Sequence, residues 1–246
     1  MITIYHRPQT LEEALTLLTQ PNTVPLGGGT LLSHPTTDSV QAVDLQSLGL
    51  DFLTKKGNDL EIGATARLQA LLENENCPET LKAAIKLEAP INIRNSATAA
   101  GTLVPCDGRS PFATALLSLD AKLTIVSKQS SVIGIGEFLA LRPSGLITSI
   151  TIPLNIKFAF EFVSRTPADK PILCAALTQW SSGRTRLALG GYGKSPMLAM
   201  DGGESEGLES AARNTYHEAT DEWASAEYRM DVAVVLAKRC LEYFNA

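Results

Sequence analysis

The spacing of hydrophobic residues over the first 50 positions predicts a small β-α-β unit. Residues 2–5 form a short apolar run typical of a strand, and Thr10 with Glu13 gives the T-x-x-E capping box that begins a helix. The next apolar residues follow the i, i+3, i+4, i+7 spacing of a helix with one buried face: Leu11, Ala14, Leu15 and Leu18. Short apolar runs at 24–26 and 41–45 predict two further strands.

Residues 51–155 predict a second group of strands and helices. The segment 51–63 has two strand-like runs around K-G-N-D, which supplies the Gly and Asn of a tight turn. The other expected elements are helices beginning near Thr65, Pro78 and Ser110 and strands at 122–127 and 146–153. Thr65 is the expected N-cap of the first of these helices. Residues 91–108 are rich in Asn, Thr, Gly and Pro, so they predict an ordered loop.

The last third of the chain changes character, and a domain boundary is expected near residue 155. Three consecutive strands are predicted at 157–164, 171–180 and 184–190, followed by a long helix from about Glu222 to Phe244. The helix face expected to dock on the sheet consists of Tyr228, Val232, Val235, Leu236 and Arg239. The predicted domains are therefore 1–155, with subdomains at about 1–50 and 51–155, and 156–246.

Composition and charge exclude several classes of protein. The chain has 21 Lys and Arg against 26 Asp and Glu, and this net charge of −5 argues against binding to nucleic acid or an anionic membrane. The four cysteines are scattered, so neither a metal-ligand run nor a disulfide framework is expected. The sequence shows no signal peptide and no apolar run of membrane-span length. A cytoplasmic protein without a bound metal is the expectation.

Motifs of the common catalytic and nucleotide-binding sites are absent. Residues 134–139 lack the third glycine of G-x-G-x-x-G, and residues 193–195 resemble only the end of a P-loop. The three histidines are isolated. His6 and His217 are expected at the surface, and His34 could approach a ligand because it follows a glycine-rich segment. No catalytic residue is therefore assigned.

The best signal of a site is the glycine loop, residues 26–32. Three consecutive glycines allow positive φ angles and close approach of a ligand, and their N–H groups can converge on an anion. The alternative is a simple tight turn. A second loop of small residues, 93–102, has hydroxyl groups and a glycine as well. The two loops together could hold a pyrophosphate from two sides through backbone donors. A side chain added at Gly28 is expected to block the ligand with little effect on the fold.

Seven segments, in order along nearly the whole chain, resemble motifs of one family. Residues 26–32 are similar to its A-G-G-T/H-D/S-L loop, residues 60–65 to its L-x-I-G-A-x-T segment, and residues 93–101 to its I-R-N-x-x-T-x-G-G-N loop. The remaining similarities are to A-L-L-A-L-D-A at 115–121, R-T-x-x-D-x-P at 165–171, G-G-x-x-x-x-P at 190–196 and Y-R at 228–229. The family is the FAD-binding medium subunit of the molybdenum hydroxylases, which include xanthine dehydrogenase and aerobic carbon monoxide dehydrogenase.

The resemblance implies a fold, a cofactor and partners. The fold is α+β: a two-subdomain FAD module of the vanillyl-alcohol-oxidase type, then a small domain with a three-stranded antiparallel sheet and helices. The function is to pass electrons from an iron–sulfur small subunit, which receives them from a molybdopterin large subunit, through FAD to an external acceptor. The implied FAD-binding residues are Leu26, Gly27, Gly28, Gly29, Thr30, Leu31, Thr98, Ala100, Gly101, Thr102 and Asp107.

The sequence departs from the family pattern in the second loop. Ala100 replaces a glycine and Thr102 an asparagine, and alanine costs little there only if its φ is negative. The family's flavin-binding aspartate falls at Pro111. Asp107 could take its place, or Asp107 and Gly108 could simply form a turn, and Arg109 could act in another role. The intact glycine loop favours an FAD-binding redox subunit, whereas the altered second loop favours a flavin-less assembly subunit. A free-standing flavin oxidase is a third, weaker interpretation.

Overall fold

A computed structural model of the protein describes residues 1–34, 37–167 and 169–244. The β-α-β unit predicted at the N-terminus is present as a parallel sheet. Its strands are β1 (Ile2–His6), β2 (Thr23–Leu26) and β3 (Val40–Asp44), with β3 in the centre. Helix α1 (Leu11–Leu18) begins at the predicted cap, where the Thr10 hydroxyl accepts from the Glu13 amide at 3.2 Å.

An antiparallel sheet of five strands forms the middle of the chain. Its elements are β4 (Leu53–Lys56), β5 (Asp59–Gly63), β6 (Lys122–Val126), β7 (Ser130–Gly134) and β8 (Leu146–Pro153), in the order β4-β5-β8-β6-β7. The hairpin predicted at 51–63 is β4–β5. Strand β7 was not predicted, because the burial of S-S-V-I-G is slight and its pattern does not alternate.

Helices pack against this sheet in the intervening segment. They are α2 (Leu68–Glu73), α3 (Glu79–Glu88), α4 (Ile91–Arg94), α5 (Ala99–Leu103) and α6 (Pro111–Ser118), and α7 (Ile135–Leu141) follows β7. The prediction of a loop over 91–108 is wrong, since α4 and α5 lie within it. Helix boundaries account for part of this composition. Pro90 is the N-cap of α4 and Thr98 that of α5, where the Thr98 hydroxyl accepts from the Gly101 amide at 3.1 Å.

The C-terminal sheet has four antiparallel strands rather than the three predicted. They are β9 (Lys157–Val163), β10 (Leu173–Gln179), β11 (Thr185–Gly190) and β12 (Met197–Gly202), in the order β12-β11-β10-β9. The fourth strand escaped prediction because it is a half-exposed edge strand that ends in Asp-Gly. Helices α8 (Leu208–Thr215) and α9 (Ala226–Tyr243) cover the sheet. Residue 168, within the segment that resembles R-T-x-x-D-x-P, lies outside the described residues.

Two details of the last helix were predicted incorrectly. It begins at Ala226 rather than near Glu222, because the Ser225 hydroxyl caps it by accepting from the Tyr228 amide at 3.3 Å. Of the predicted docking face, only Leu236 is fully buried. Small residues and one arginine make the actual contact face: Ala226, Arg229, Ala233, Leu236, Ala237 and Cys240. Small side chains let the helix approach the sheet closely, and a search for large hydrophobic residues misses that face.

The centre of the molecule is helix α6, all eight residues of which are buried. It packs between α3 and strands β10 and β11. The Ser118 hydroxyl bonds to the Thr178 hydroxyl at 2.8 Å and donates to the Arg186 carbonyl at 3.1 Å. The largest hydrophobic core therefore includes residues from both sides of position 155, among them Phe158, Ala176 and Ala188.

Candidate functional site

A cleft of about 300 Å³ lies between the glycine loop, helix α5 and the start of β8. Backbone and apolar side chains make most of its wall. Its lining residues are Pro25, Leu26, Gly27, Gly28, Gly29, Thr30, Leu31, Leu32, Leu45, Ala64, Thr65, Thr98, Ala100, Gly101, Val104, Pro105, Gly145, Leu146 and Ile147. The cleft thus brings together nine of the eleven residues for which the sequence predicts FAD binding.

The glycine loop and the second loop touch through their backbones. A Cβ atom added at Gly28 would lie 1.7 Å from the Ser96 carbonyl oxygen, and one added at Gly27 would lie 2.8 Å from the Thr98 hydroxyl oxygen. Gly29 has a φ of 72°, a left-handed conformation that favours glycine. The expectation that a side chain at Gly28 leaves the fold intact is therefore wrong, since the loops pack against each other at that point.

The two loops differ in how their amide groups are used. Among the described residues, the N–H groups of residues 27–30 donate to no carbonyl or side-chain oxygen, although they line the cleft. In the second loop the Ala100 amide donates to the Ala64 carbonyl at 3.1 Å, and the Thr102 amide to the Thr98 carbonyl at 2.9 Å. The Gly101 amide donates to the Thr98 hydroxyl. Most amides of the second loop are therefore used within the protein, whereas those of the glycine loop remain available for an anion, and the two-sided backbone clamp stays a prediction.

A more polar cavity of about 390 Å³ continues from the cleft and shares Thr30, Leu31, Gly101 and Pro105 with it. Its polar lining residues are Thr30, His34, Glu88, Thr102, Asp107 and Lys170. The two predicted site residues that do not line the cleft, Thr102 and Asp107, lie here. His34 lines this cavity too, as its position after the glycine loop suggested. The predicted residues thus occupy two adjoining spaces, one largely apolar and one with a greater share of polar groups.

Asp107 lies at the exposed rim of the polar cavity and forms a turn. Its Oδ1 accepts from the Arg109 amide at 2.9 Å, which is the hydrogen bond of an Asx turn. The adjacent Gly108 bonds to the C-terminal domain: its amide donates to the Gly193 carbonyl at 3.0 Å, and its carbonyl accepts from the Gly191 amide at 2.6 Å. Asp107 is therefore a turn former, and its Oδ2 has no recorded partner within the described residues.

Glu88 is a buried carboxylate of the polar cavity that the sequence analysis missed. Its Oε2 accepts from the Ser110 hydroxyl at 2.6 Å and from the Phe112 amide at 3.1 Å. Its Oε1 lies 3.1 Å from the ammonium nitrogen of Lys170. Pro111 is buried at the first turn of α6, so the carboxylate next to this helix terminus comes from Glu88. The available clue in the sequence was an acidic residue, Glu88, at the end of one predicted helix and a capping serine, Ser110, at the start of the next.

Arg142 and Arg94 fix the segments on either side of α5. The Arg142 guanidinium donates to the carbonyls of Val104 at 2.8 Å and Cys106 at 2.9 Å. Burial raises the pKa of the Cys106 thiol, against the opposing effect of a hydrogen bond from Arg142. Arg94 donates to the Ala89 carbonyl at 2.7 Å. These contacts hold the second loop rigid without placing a cation in the cleft.

The structure shows where the possible metal ligands and two of the three histidines lie. In the described ranges, no group of three or more His, Cys, Asp or Glu side chains is placed to hold a metal ion. His6 is half-buried rather than at the open surface and bonds to Gln41 at 2.9 Å, while His217 is exposed. No helix of the described chain is long and apolar enough to cross a bilayer.

Residues 1–155 match the family model described as the FAD binding domain in molybdopterin dehydrogenase. The chain belongs to this family. FAD is accordingly its cofactor, and the α+β fold and the family predicted from the sequence are confirmed. The match contains the whole glycine loop, the second loop and all residues of the cleft.

Similar proteins cover the chain almost from end to end. The chain is 30% identical over 245 residues to YgfM of Escherichia coli K12, an uncharacterised protein, with 96% of this chain and 94% of YgfM covered. It is 24% identical over 278 residues to the carbon monoxide dehydrogenase medium chain of Afipia carboxidovorans, with 98% and 96% covered.

Two solved structures share the fold. One is the reconstituted CO dehydrogenase from Oligotropha carboxidovorans, with a TM-score of 0.82, 24% identity, and 97% of this chain and 96% of that chain covered. The other is quinoline 2-oxidoreductase from Pseudomonas putida 86, with a TM-score of 0.82, 18% identity, and 98% and 95% covered.

The residues of the cleft fit the FAD that this family binds. The free amides of residues 27–30 can donate to diphosphate oxygens, and the absence of a Cβ at Gly27 and Gly28 lets this loop pack directly against the second loop at the cleft wall. Thr65 also lines the cleft, and its buried hydroxyl has no hydrogen-bond partner within the part of the chain that the structure describes. Thr65 is not the helix cap predicted from the sequence, since Arg67 is the N-cap of α2 and makes no side-chain cap bond.

Proposed function

We propose that the protein is the FAD-binding electron-transfer subunit of a molybdopterin-dependent hydroxylase or dehydrogenase. Its partners would be an iron–sulfur small subunit and a molybdopterin large subunit, and it would pass electrons from the iron–sulfur clusters to an external acceptor. The observation that carries the proposal is the glycine loop with its unused amides, which lies within the part of the chain matched by the FAD-binding family. The name of the Afipia relative, a medium chain, supports a multi-subunit assembly.

Bound FAD supplies a redox centre that accepts electrons from one partner and releases them to another. The chain's own residues bind and orient it. The amides of residues 27–30 would donate to its diphosphate, while Leu26, Leu146 and Ile147 exclude water from the cleft wall. The hydroxyls of Thr30 and Thr98 would add donors, with Thr98 already fixed as the cap of α5. In the polar cavity, Thr102 and the free oxygen of Asp107 would contact the more polar part of the cofactor.

The two departures in the second loop are compatible with FAD binding. Ala100 is a helical residue of α5 and is absent from the described non-glycine residues with positive φ, so alanine is unstrained there. The hydroxyl of Thr102 donates to the Thr98 carbonyl at 2.9 Å, and this bond reinforces the first turn of the same helix. These substitutions therefore preserve the shape of the wall that faces the glycine loop.

A flavin-less assembly subunit is the second candidate function, and a specific observation favours it. Pro111 stands where the family has a flavin-binding aspartate and is buried at the start of α6, so it gives the cofactor no side-chain acceptor. Asp107, the expected replacement, already uses one oxygen in a turn. In this alternative the cleft would serve packing against partner chains.

The visible spectrum of protein purified from its native host separates the two candidates. The two absorption bands of oxidised flavin, with FAD released on unfolding, are expected. Apoprotein mixed with FAD should gain stability by RT ln(1 + [FAD]/Kd), which is about 2.7 kcal/mol at 100 times Kd. Colourless protein whose melting temperature does not respond to FAD would support the assembly role instead. Co-purification with an iron–sulfur chain and a molybdenum-containing chain tests the partners, and an active monomer would contradict them.

A further inference from the structure

We propose that the hydroxyl of Thr65 donates a hydrogen bond to an oxygen atom of the bound FAD. This inference rests on the proposed function and assigns a binding role to a residue outside the two loops. Thr65 is 7% exposed and lines the cleft that also contains the free amides of residues 27–30. Its Oγ1 is shielded from solvent and has no partner among the described residues.

The backbone around Thr65 is fixed, so the missing partner is a property of the side chain alone. The Thr65 amide donates to the Leu50 carbonyl at 2.9 Å, and the Ala64 amide to the Thr148 carbonyl at 3.0 Å. The preceding Gly63 is so close to Leu50 that an added Cβ would lie 2.1 Å from the Leu50 carbonyl oxygen. The chain therefore cannot shift to bring another acceptor to the hydroxyl, which stays at the cleft wall.

Only one of the unpartnered buried polar atoms of the described chain borders the cleft. The three such atoms are Thr65 Oγ1, Tyr216 OH and Arg229 Nε. Arg229 satisfies its terminal nitrogens through Asp221 and nearby carbonyls, and Tyr216 lies in the core of the C-terminal domain. Neither residue lines the cleft or the polar cavity. The position of Thr65 is thus what distinguishes a ligand-binding hydroxyl from one buried for packing.

The chemistry of a threonine hydroxyl suits a cofactor rich in oxygen acceptors. It has one donor hydrogen, and phosphate, ribityl and ring-carbonyl oxygens all accept. A buried hydroxyl without a partner destabilises the protein, whereas the same hydroxyl bonded to a ligand does not. Removal of the hydroxyl should therefore have opposite effects on the two states: the apoprotein gains stability and the FAD complex loses affinity. A purely structural hydroxyl would not produce this pair of signs.

The test compares three variants with wild type by titration of apoprotein with FAD and by thermal unfolding without FAD. Thr65→Val should raise the Kd for FAD about tenfold, as loss of one hydrogen bond predicts. The same variant should raise the apoprotein Tm by about 2–4 °C, since roughly 1 kcal/mol shifts a chain of this size by that amount. Thr65→Ser keeps the hydroxyl and should keep wild-type affinity. Tyr216→Phe, the matched control, should raise the apoprotein Tm and leave FAD affinity unchanged.

Two outcomes would overturn the inference and are distinguishable from failure of the proposed function. If wild type binds FAD and Thr65→Val binds it equally well, the hydroxyl makes no bond to the cofactor. If Thr65→Ser loses as much affinity as Thr65→Val, the methyl group rather than the hydroxyl matters. If wild type itself does not bind FAD, the proposed function fails first, and the inference about Thr65 falls with it.

Discussion

Replacement of Gly28 by alanine should both destabilise the apoprotein and abolish tight binding of FAD. The added Cβ would lie 1.7 Å from the Ser96 carbonyl oxygen and 2.6 Å from its carbon. Both atoms belong to the backbone, so no side chain can rotate away. Ordinary contacts of a Cβ begin at 3.4 Å, and the two loops must therefore separate by more than an ångström and a half.

The cost of this separation follows from the packing of the loops. Overpacking by one carbon typically costs about 1–3 kcal/mol, and the upper part of that range applies because the opposing atoms are backbone. The displaced loop also carries the free amides of residues 27–30. Because these amides would no longer converge on one point, FAD affinity should fall by at least about tenfold, beyond any effect on stability.

Urea unfolding of the apoprotein and FAD titration measure the two effects separately. Gly134→Ala is the matched control, since a Cβ there meets nothing within 4 Å and the φ of −71° suits alanine. Because Gly134 is the N-cap of α7, where glycine is preferred to alanine, this control should cost at most about 1 kcal/mol of unfolding free energy and leave FAD affinity unchanged. A Gly28→Ala variant whose unfolding free energy and FAD affinity match those of wild type would refute the close packing of the two loops.

Three further predictions concern other parts of the chain. Asp107→Ala should weaken FAD binding about ten- to a hundredfold, whereas Asp107→Asn, which keeps the turn, should lose less affinity for FAD. If titration gives wild type and Asp107→Ala the same affinity, Asp107 serves only to form the turn. Burial tends to raise the pKa of Asp221, but hydrogen bonds from Arg229 and two amides hold it below the usual 3.8. A lowered pKa stabilises the fold above the unfolded-state value, and this stabilisation disappears as pH falls through the folded-state pKa. Urea unfolding below pH 4 should therefore show a loss of stability in wild type that Asp221→Asn lacks. At pH 7 this variant should be about 2 kcal/mol less stable than wild type. This cost is smaller than for a fully buried ion pair because Asp221 is partly exposed. Burial raises the pKa of Cys174 to about 12, so a thiol reagent at pH 8 should modify at most the half-buried Cys106 before unfolding; rapid reaction of a second thiol would contradict this.

The sequence predicts the elements whose signals are local. The capping box of α1, the hairpin β4–β5 and the start of α6 at Ser110 depend on neighbours within a few residues, and the structure contains all three. The glycine loop was recognisable for the same reason. The packing of the glycine loop against the second loop could not be predicted, because the contact of Gly28 with the Ser96 carbonyl involves no side chain that a sequence pattern could show.

The features that were missed depend on long-range packing. Helix α9 docks through Ala233 and Ala237, whose small side chains matter only because the sheet lies against them. Strand β12 is an edge strand that pairs with β11. Thr65 has the sequence context of a helix cap, and only the three-dimensional structure shows that its hydroxyl lacks a partner among the residues described. Polar groups left without a partner break local rules, so sequence reasoning assigns them an ordinary role.

The burial of α6 has a consequence for the synthesis of the protein on the ribosome. Strands β10 and β11, which are translated well after this helix, form one side of its cover. Until those strands emerge, the face of α6 that carries Thr114 and Ser118 lacks its native partners, and exposed core surface promotes aggregation of nascent chains. Completion of the FAD-binding half must therefore wait for the C-terminal sheet. Tight binding of FAD is therefore expected only after β10 and β11 have been synthesised.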